Sequence, residues 1–356
     1  MKAAKTIASF AEIRALLPAL PAVDDLAVEI ARERQSKLTK PAGALGRLEE
    51  VAVWLAGWQG RNPPSVERPY AAVFAGNHGI AEKGVSAYPA AVTTQMVSNF
   101  IDGGAAVNQL CSLANADLRV YEMALEEPTG DFSETAAMDE EDCAKAMAYG
   151  MMAVESGIDV LALGEMGIAN TTAAAALCCG LYGGKGADWV GPGTGIDAVR
   201  MAEKARLVDQ AVALHGDALG DPLEVLRRLG GRELAAIAGA VLAARMARTP
   251  VLLDGYACTA AAAVIHALDP AAIDHCMVSH VSAEPGHKHL LQRIGKEALV
   301  DLGMRLGEAS GAMVAVLLLK AAVACHNGMA TFDEAGVSGP AGVSGPDGVS
   351  GPDGGA

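Results

Sequence analysis

The sequence predicts an α/β protein with a mostly parallel sheet. From about residue 70 onward, short apolar runs alternate with Ala-rich helical stretches, and polar residues follow the ends of those runs. Strands that alternate with helices imply right-handed crossovers and therefore parallel neighbours. The chain has 356 residues, which is enough for one large α/β domain and a smaller lobe.

The first 65 residues have helix-like apolar spacing, and Pro63-Pro64 then marks a linker. Predicted helices in this part cover residues 23–34 and 45–58. Predicted strands cover residues 71–75, 118–122, 159–163, 251–253 and 276–278. Predicted helices between and after them cover residues 90–113, 143–155, 172–180, 198–214, 233–247, 259–267 and 311–325.

The composition argues against several classes of binding partner and against a membrane location. The net charge of -15 argues against binding to nucleic acid and to anionic membrane surfaces. We expect no transmembrane helix, because no uninterrupted apolar run reaches about 18 residues. We expect no signal peptide, because residues 1–12 lack its apolar core and its small-residue cleavage pattern. Seven scattered cysteines without a CxxC pair indicate reduced thiols, so we expect a cytoplasmic protein.

Polar and glycine residues are concentrated where the predicted strands end. Parallel sheets bind ligands at the carboxyl ends of their strands, so these residues predict a small-molecule enzyme. They are Gly76, Asn77 and His78 after the first strand, Gly164, Glu165 and Met166 after the third, Asp254 and Gly255 after the fourth, and Ser279, His280 and Glu284 after the fifth.

Two glycine-containing junctions each have two interpretations. GEMGIANTT at 164–172 runs from a strand into a helix, where Asn170, Thr171 or Thr172 either caps an ordinary helix or helps to bind a phosphate. GPGTGID at 191–197 is either an anion-binding loop or a flexible turn. It is not a dinucleotide fingerprint, because Ile196 stands where GxGxxG requires glycine.

Three further segments have open interpretations. Glu308 in RLGEASGA is either a general base beside an apolar helix or a glutamate at a helix start. Tyr88 and Gln95 either line a pocket for a planar heterocycle or only pack a loop. The stretch 280–289 contains three histidines but lacks a standard metal spacing, so we expect hydrogen-bonding roles there.

Taken together, these segments resemble the nicotinate-nucleotide–dimethylbenzimidazole phosphoribosyltransferases of cobalamin synthesis. The resemblance runs from about residue 37 to about residue 338, and the shared order of its motifs makes it specific. The motifs are KPAGALGRLE at 40–49, AGNHGI at 75–80, SAYPAAVTTQMVSNFIDGGAAVN at 86–108, GEMGIANTT at 164–172, GPGTGID at 191–197, SAEPGHK at 282–288 and RLGEASGA at 305–312.

The resemblance implies a Rossmann-like, mostly parallel sheet, a small helical lobe built from both chain ends, and a homodimer. Glu308 matches the general base, and Glu165 lies in the same site. The phosphate and ribose residues implied are Gly167, Asn170, Thr171, Gly193, Thr194, Gly195 and Lys204. The base pocket implied is Ser86, Tyr88, Gln95, Met166, Leu306 and Gly307.

The corresponding division of the chain is an N-terminal helical segment at 1–65, a catalytic domain at 66–310 and a C-terminal helix at 311–335. The repeats of GVSGP at 336–356 predict a disordered tail. Ala169 stands where the family pattern has glycine. We expect the chemistry to survive this added methyl group.

The implied reaction uses nicotinate mononucleotide and a benzimidazole base, and it needs no cofactor and no metal. Two alternatives stay open. One is a magnesium-dependent transferase that uses a diphosphate donor, although Asp254 lacks the paired acid of that signature. The other is a corrinoid-binding or nucleotide-binding protein without catalysis, although the DxHxxG signature is absent.

Overall fold

The computed structural model describes residues 7–339, which form a six-stranded sheet flanked by helices. Every adjacent pair of strands in this sheet is parallel, so the predicted α/β fold is confirmed. The strands are β1 (Pro69–Ala75), β2 (Asp117–Glu122), β3 (Val160–Met166), β4 (Val251–Leu253), β5 (Cys276–His280) and β6 (Ala298–Val300).

The spatial order of the strands is β2-β1-β3-β4-β5-β6. The chain builds outward from β1 on one side to β2 and on the other side from β3 to β6. The point between β1 and β3 is therefore the topological switch point of the sheet. Doubly wound sheets bind ligands in the crevice outside the carboxyl ends of the strands at such a point.

Helices cover both faces of the sheet. In the N-terminal half they are α1 (Phe10–Arg14), α2 (Asp25–Lys37), α3 (Arg47–Gln59), α4 (Ala91–Ile101), α5 (Ala106–Ala114), α6 (Glu140–Met151) and α7 (Asn170–Tyr182). In the C-terminal half they are α8 (Gly186–Trp189), α9 (Ala198–His215), α10 (Pro222–Leu229), α11 (Arg232–Met246), α12 (Tyr256–Leu268), α13 (Pro285–Arg293), α14 (Ser310–Gly328) and α15 (Phe332–Ala335).

Strand β1 shows how the two layers are formed. All seven of its residues are buried, and successive side chains point to opposite faces. Tyr70 and Phe74 join the apolar cluster on the face covered by α6, α7, α11 and α12. Ala71 and Val73 join the cluster on the other face, with α3, α5 and α14. A strand buried on both faces has no need of polar alternation, which explains its continuous apolar run.

The alanine and glycine content allows helices to pack closely. Helices α6 and α11 meet at Gly150 and Gly239. A Cβ at Gly150 would collide with the Ala236 carbonyl, and a Cβ at Gly239 would collide with the Met147 carbonyl. The two backbones are therefore in direct contact, and this contact requires glycine at both positions.

Several boundaries differ from the prediction. The helix predicted at 90–113 is divided into α4 and α5, because Gly103 adopts a left-handed conformation with φ +80° between them. Strand β3 continues to Met166, so Glu165 lies within the strand and not after it. Strand β6 and helices α1, α8, α10, α13 and α15 were not predicted. Their short lengths explain this, because a few residues give little periodicity.

The two ends of the described chain are joined through α2 and α14. Arg34 Nε donates to the His326 carbonyl at 2.7 Å, and Leu38 forms an antiparallel bridge with Thr331. This contact is compatible with the predicted lobe of both chain ends. The predicted division at 65, 310 and 335 stays a prediction, and residues 340–356 of the predicted tail lie outside the described residues.

Helix α14 is long and apolar enough to cross a membrane by length and composition alone. In this structure it packs against α3, α5 and strands β3 to β5. Met313, Val316 and Leu319 on its inner side are fully buried in the core. These contacts are those of a core helix that covers one face of the sheet.

Candidate active site

A cavity of about 660 Å³ lies at the carboxyl end of the sheet, beside the switch point between β1 and β3. This volume is in the range of pockets that enclose small organic ligands. Most of the predicted site residues line it. They are Ser86, Tyr88, Glu165, Met166, Gly167, Asn170, Thr171, Gly193, Thr194, Leu306, Gly307 and Glu308.

Glu165 and Glu308 come together at one wall of this cavity. Glu165 is near the end of β3, and Glu308 is in the turn that precedes α14. The Glu308 N–H donates to the Glu165 carbonyl at 3.1 Å, so a backbone hydrogen bond joins the two positions. Residues 143 positions apart in the sequence therefore form one structural unit.

The turn that presents Glu308 is strained. Gly307, Glu308 and Ala309 all have positive φ, at +84°, +64° and +62°. A non-glycine residue in this region costs about 1–2 kcal/mol. Such strain persists only where the surrounding structure holds it, and it is concentrated at functional sites.

Close contacts leave no room for larger residues in this wall. A Cβ at Gly164 would collide with the Ala309 backbone. A Cβ at Gly307 would lie 2.7 Å from Glu165 Oε1. Gly164 and Gly307 are therefore required by the approach of the GEMG and RLGE segments to each other.

Both glutamates are poised to exchange protons near neutral pH. Burial, together with the nearby carboxylates of Asp254 and Glu233, raises the pKa of Glu165 to about 8, against a lowering by the hydrogen bond from Asn170 Nδ2. Burial and the Asp254 charge raise the pKa of Glu308 to about 7. A carboxylate whose pKa lies near the working pH is an efficient general base.

Helix α7 begins at the cavity wall with no side-chain cap. Its N-cap residue is Ala169, which has φ +78° and lacks a side chain that could accept from the first turn. The preceding residues Gly167 and Ile168 line the cavity, together with Asn170 and Thr171. The N–H groups of Asn170 and Thr172 already donate to the carbonyls of Gly167 and Ala169, at 3.0 and 2.9 Å. The helix dipole at such an N-terminus favours an anion.

Lys204 lies behind this helix end. Its side chain is fully buried, and Nζ donates to Thr171 Oγ1 at 2.8 Å and to the Gly191 carbonyl at 3.2 Å. Burial lowers its pKa to about 8, partly offset by the negative charge of Glu284. It forms no ion pair with any residue between 7 and 339, so its charge is available to an anion that reaches Thr171.

Two residues of the GPGTG loop, Gly193 and Thr194, line the cavity. The Gly193 N–H already donates to Glu284 Oε1 at 2.8 Å, while Arg305 Nη1 donates to the Gly193 carbonyl at 2.7 Å. Thr194 Oγ1 accepts from the Ala87 N–H at 2.9 Å. The loop is therefore tied to three neighbouring segments. Gly195 does not line the cavity.

Five of the six predicted base-pocket residues line the cavity, and one does not. Met166, Leu306 and Gly307 line the cavity, as do Ser86 and Tyr88. Gln95 does not, because it is exposed on the outer side of α4. The residues of α4 that face the cavity are Val92, Met96 and Asn99, at the i, i+4 and i+7 spacing of one helical face.

Comparison with known proteins finds relatives that match almost the whole chain. A family model described as phosphoribosyltransferase matches residues 20–337. The chain belongs to this phosphoribosyltransferase family. It is 58% identical to the nicotinate-nucleotide–dimethylbenzimidazole phosphoribosyltransferase of Rhizobium etli (strain CIAT 652) over 330 residues, which cover 93% of this chain and 97% of the relative.

Other members of the phosphoribosyltransferase family are also similar. The enzyme of the same name from Brucella canis is 58% identical over 329 residues, which cover 92% of this chain and 97% of that protein. The crystal structure of the enzyme of the same name from Thermus thermophilus has a TM-score of 0.82 and 40% identity, and the match covers 89% of this chain and all of that one.

The structure brings further residues to this phosphoribosyltransferase site, beyond those implied by the family motifs. Asp254, His280, Glu284 and Arg305 are in or directly behind the cavity wall. Glu233 is fully buried on α11. The position of the first three after strands was the available signal. No comparable signal identifies Glu233, because it lies within an ordinary helical pattern.

The histidine-rich stretch has roles in packing and hydrogen bonding. His287 Nδ1 accepts from the Ser282 N–H at 2.9 Å. The His289 ring stacks on Trp189 with centroids 4.2 Å apart. No group of three or more potential metal ligands is arranged around a common point in the part of the chain that the structure describes.

Proposed function

We propose that this protein transfers the 5-phosphoribosyl group of nicotinate mononucleotide to 5,6-dimethylbenzimidazole, giving α-ribazole 5'-phosphate and nicotinate. The observation that carries the proposal is the pair Glu165 and Glu308, held in one wall of a cavity that also has an uncapped helix N-terminus. The names of the similar enzymes support this reaction in particular.

The phosphate of the donor belongs at the N-terminus of α7, near Gly167, Asn170 and Thr171. The helix dipole of α7 and the charge of Lys204 support this placement. Residues Gly193, Thr194 and Gly195 then cover the ribose and phosphate from the other side. Since the Gly193 N–H is already paired with Glu284, its use by phosphate requires an exchange of hydrogen-bond partners.

The acceptor base belongs between the SAYP segment and the RLGE turn. Tyr88 and Leu306 are more than half exposed, at 56% each, and they offer apolar surface to a flat ring. Met166 and Gly307 form the floor, and Ser86 supplies a hydroxyl at the rim. Gln95 is proposed for the base pocket only through the family pattern.

The chemistry follows from charge. The pyridinium base of the donor leaves with a neutral ring nitrogen, as nicotinate, so it needs no acid. The attacking nitrogen of the benzimidazole uses its lone pair, and the proton on the other ring nitrogen must then be removed. Glu308 is proposed to accept that proton, and attack opposite the leaving group inverts the anomeric carbon.

Glu165 has two proposed roles. It either stabilises positive charge that develops on the ribose or assists the proton transfer. Most of the rate acceleration would come from holding two flat rings on opposite faces of one ribose. No step of this mechanism calls for a metal.

We also propose that the enzyme acts as a homodimer in the cytoplasm, without nucleic acid or membrane partners. The net charge of -15 supports the last two points. All cysteines between residues 7 and 339 are free thiols, which supports a reducing compartment. Light scattering of the purified protein measures the oligomeric state.

The test is to incubate the protein with nicotinate mononucleotide and to follow free nicotinate by chromatography, with and without 5,6-dimethylbenzimidazole, in the presence of a chelator. We expect release that requires the base and that yields the α-ribosyl phosphate. Glu308→Gln should slow this release by about 10²-fold or more, whereas Glu203→Gln, at an exposed ion pair, should leave it unchanged.

Other outcomes would redirect the proposal. Release without the base indicates a hydrolase. Activity only with a diphosphate donor and magnesium indicates the other class of phosphoribosyltransferase. Binding without release by folded protein contradicts catalysis.

A further inference from the structure

Asp254 is a fully buried carboxylate at the carboxyl end of β4, and the proposed reaction assigns it no role. Its Oδ1 accepts from the Ala312 N–H at 2.8 Å. The N–H groups of Gly311 and Ala309 also act on this carboxylate. One side chain thus receives the N-terminal amides of α14 and of the residue before it.

Those amides adjoin the strained turn. The residues at 307–309 all have left-handed backbone conformations, and Glu308 is the central one. A strained backbone needs an external contact that over-determines it. Asp254 supplies this contact, because a negative charge is favoured at the N-terminus of the 19-residue helix α14.

Asp254 has a buried neighbour of complementary character. His280 Nε2 lies 3.8 Å from Asp254 Oδ1, and the histidine is 1% exposed. Neither ring nitrogen of His280 has a hydrogen-bond partner among residues 7–339. A Cβ at Gly311 would collide with this ring, so glycine is required at the first turn of α14.

We propose that Asp254 is the positioning residue for Glu308. It holds the start of α14 against the end of β4, and this fixes the left-handed turn that directs the Glu308 carboxylate into the cavity. His280 stabilises the Asp254 charge in its buried place. The inference rests on the proposed function, because positioning matters for catalysis only if Glu308 acts as the base.

The experiment compares Asp254→Ala, Asp254→Asn and the matched control Asp139→Ala. Asp139 caps α6 by accepting from the Asp142 N–H at 2.7 Å, and it is exposed and far along the chain from the cavity residues. For each variant we would measure kcat, the KM for nicotinate mononucleotide, the pH profile, and hydrogen exchange of the backbone in residues 304–313.

Asp254→Ala should expose the amides of 309–312 to faster exchange and lower kcat about 100-fold, the scale of a misplacement of about 1 Å. The KM for the donor should change far less, because the phosphate site on α7 is not touched. Asp139→Ala should alter neither kcat nor exchange in this segment.

The Asp254→Asn variant separates the effect of the negative charge of Asp254 from that of its hydrogen bonds to the backbone. Asparagine keeps an oxygen for the Ala312 N–H, so kcat should fall less than in Asp254→Ala. The acid limb of the pH profile should move to lower pH, because a negative charge near Glu308 is removed. The other charged or titratable groups around Glu308 are Glu165 on β3, His280 on β5 and Arg305 in the preceding loop.

Unchanged exchange in 307–312 together with kcat equal to the control would overturn the inference. If Asp254→Ala does not fold, the same reading is taken from Asp254→Asn, where an unmoved acid limb and unchanged exchange overturn it. If the unmodified protein releases no nicotinate, the proposed function fails, while the exchange data still report whether Asp254 holds the turn.

Discussion

Replacing Glu308 by glutamine tests the proposed base with little change of shape. The substitution keeps the size of the side chain and the left-handed backbone at φ +64°, but it removes the ability to accept a proton. A positioned general base contributes about 10²–10⁴-fold to a rate. We therefore expect kcat/KM at pH 8 to fall by about 10²-fold or more.

The pKa of Glu308 fixes the shape of the pH profile. Because burial raises this pKa to about 7, the carboxylate is mostly protonated at pH 6 and mostly ionised at pH 8. Activity that needs the ionised form should rise by about tenfold from pH 6 to pH 8. The same limb should be absent from Glu308→Gln.

The assay is the initial rate of nicotinate release at saturating dimethylbenzimidazole from pH 5.5 to pH 9, with nicotinate mononucleotide well below its KM. Circular dichroism at each pH confirms that the variant is folded. A Glu308→Gln enzyme that keeps the full rate would refute the assignment of Glu308. A variant with a lower rate but an unchanged acid limb would show that another group is the titrating base.

Three further predictions concern the residues around this base. Lys204→Met should raise the donor KM by about 10- to 100-fold, because a charged hydrogen bond to the phosphate is lost. Donor binding to the unmodified enzyme should weaken above pH 8 as Lys204 loses its proton. An unchanged KM in the variant would contradict the proposed phosphate site. Glu165→Gln should be more stable than the unmodified chain at pH 8, by about 2 kcal/mol after allowance for cavity solvent. The sign follows because folded Glu165, with a pKa of about 8, holds a proton that the unfolded chain releases. The unmodified chain therefore loses stability as the pH rises from about 4.5 to 8. A melting-temperature difference between the two proteins that is the same at pH 5 and pH 8 would argue against this prediction. Ala169→Gly should keep activity and change the free energy of unfolding by less than about 1 kcal/mol. Glycine relieves the backbone strain at φ +78°, but it also loses a methyl contact and makes the unfolded chain more flexible. A large loss of activity would contradict this prediction.

The sequence predicted the sheet and the edge at which the site lies. Apolar runs such as residues 71–75 and 251–253 identify buried strands without knowledge of their neighbours, and parallel pairing brings their ends together. Glu165 and Glu308 could be placed in one site in advance through the family motifs. Their direct backbone contact could not, because it depends on packing between distant segments.

The features that were not predicted depend on where a helix begins, on an unusual backbone conformation, or on contacts between distant segments. The orientation of Gln95 follows from where α4 begins, and Ala90 gives no capping signal at that point. The left-handed backbone of Glu308 and Ala309 escaped because glycine is the usual sign of positive φ. The role of Asp254 depends on α14, whose first turn lies more than 50 residues away in the sequence.

The hydrogen bond from Glu308 to the Glu165 carbonyl also determines how ligands reach the cavity. It extends the sheet edge by one more backbone link, so the wall that carries both glutamates cannot swing outward without breaking that link and the contacts of α14. The solvent-accessible part of the lining includes Tyr88, Thr194 and Leu306. We therefore expect substrates to enter and products to leave on this solvent-accessible side, while the two glutamates keep their places in the wall.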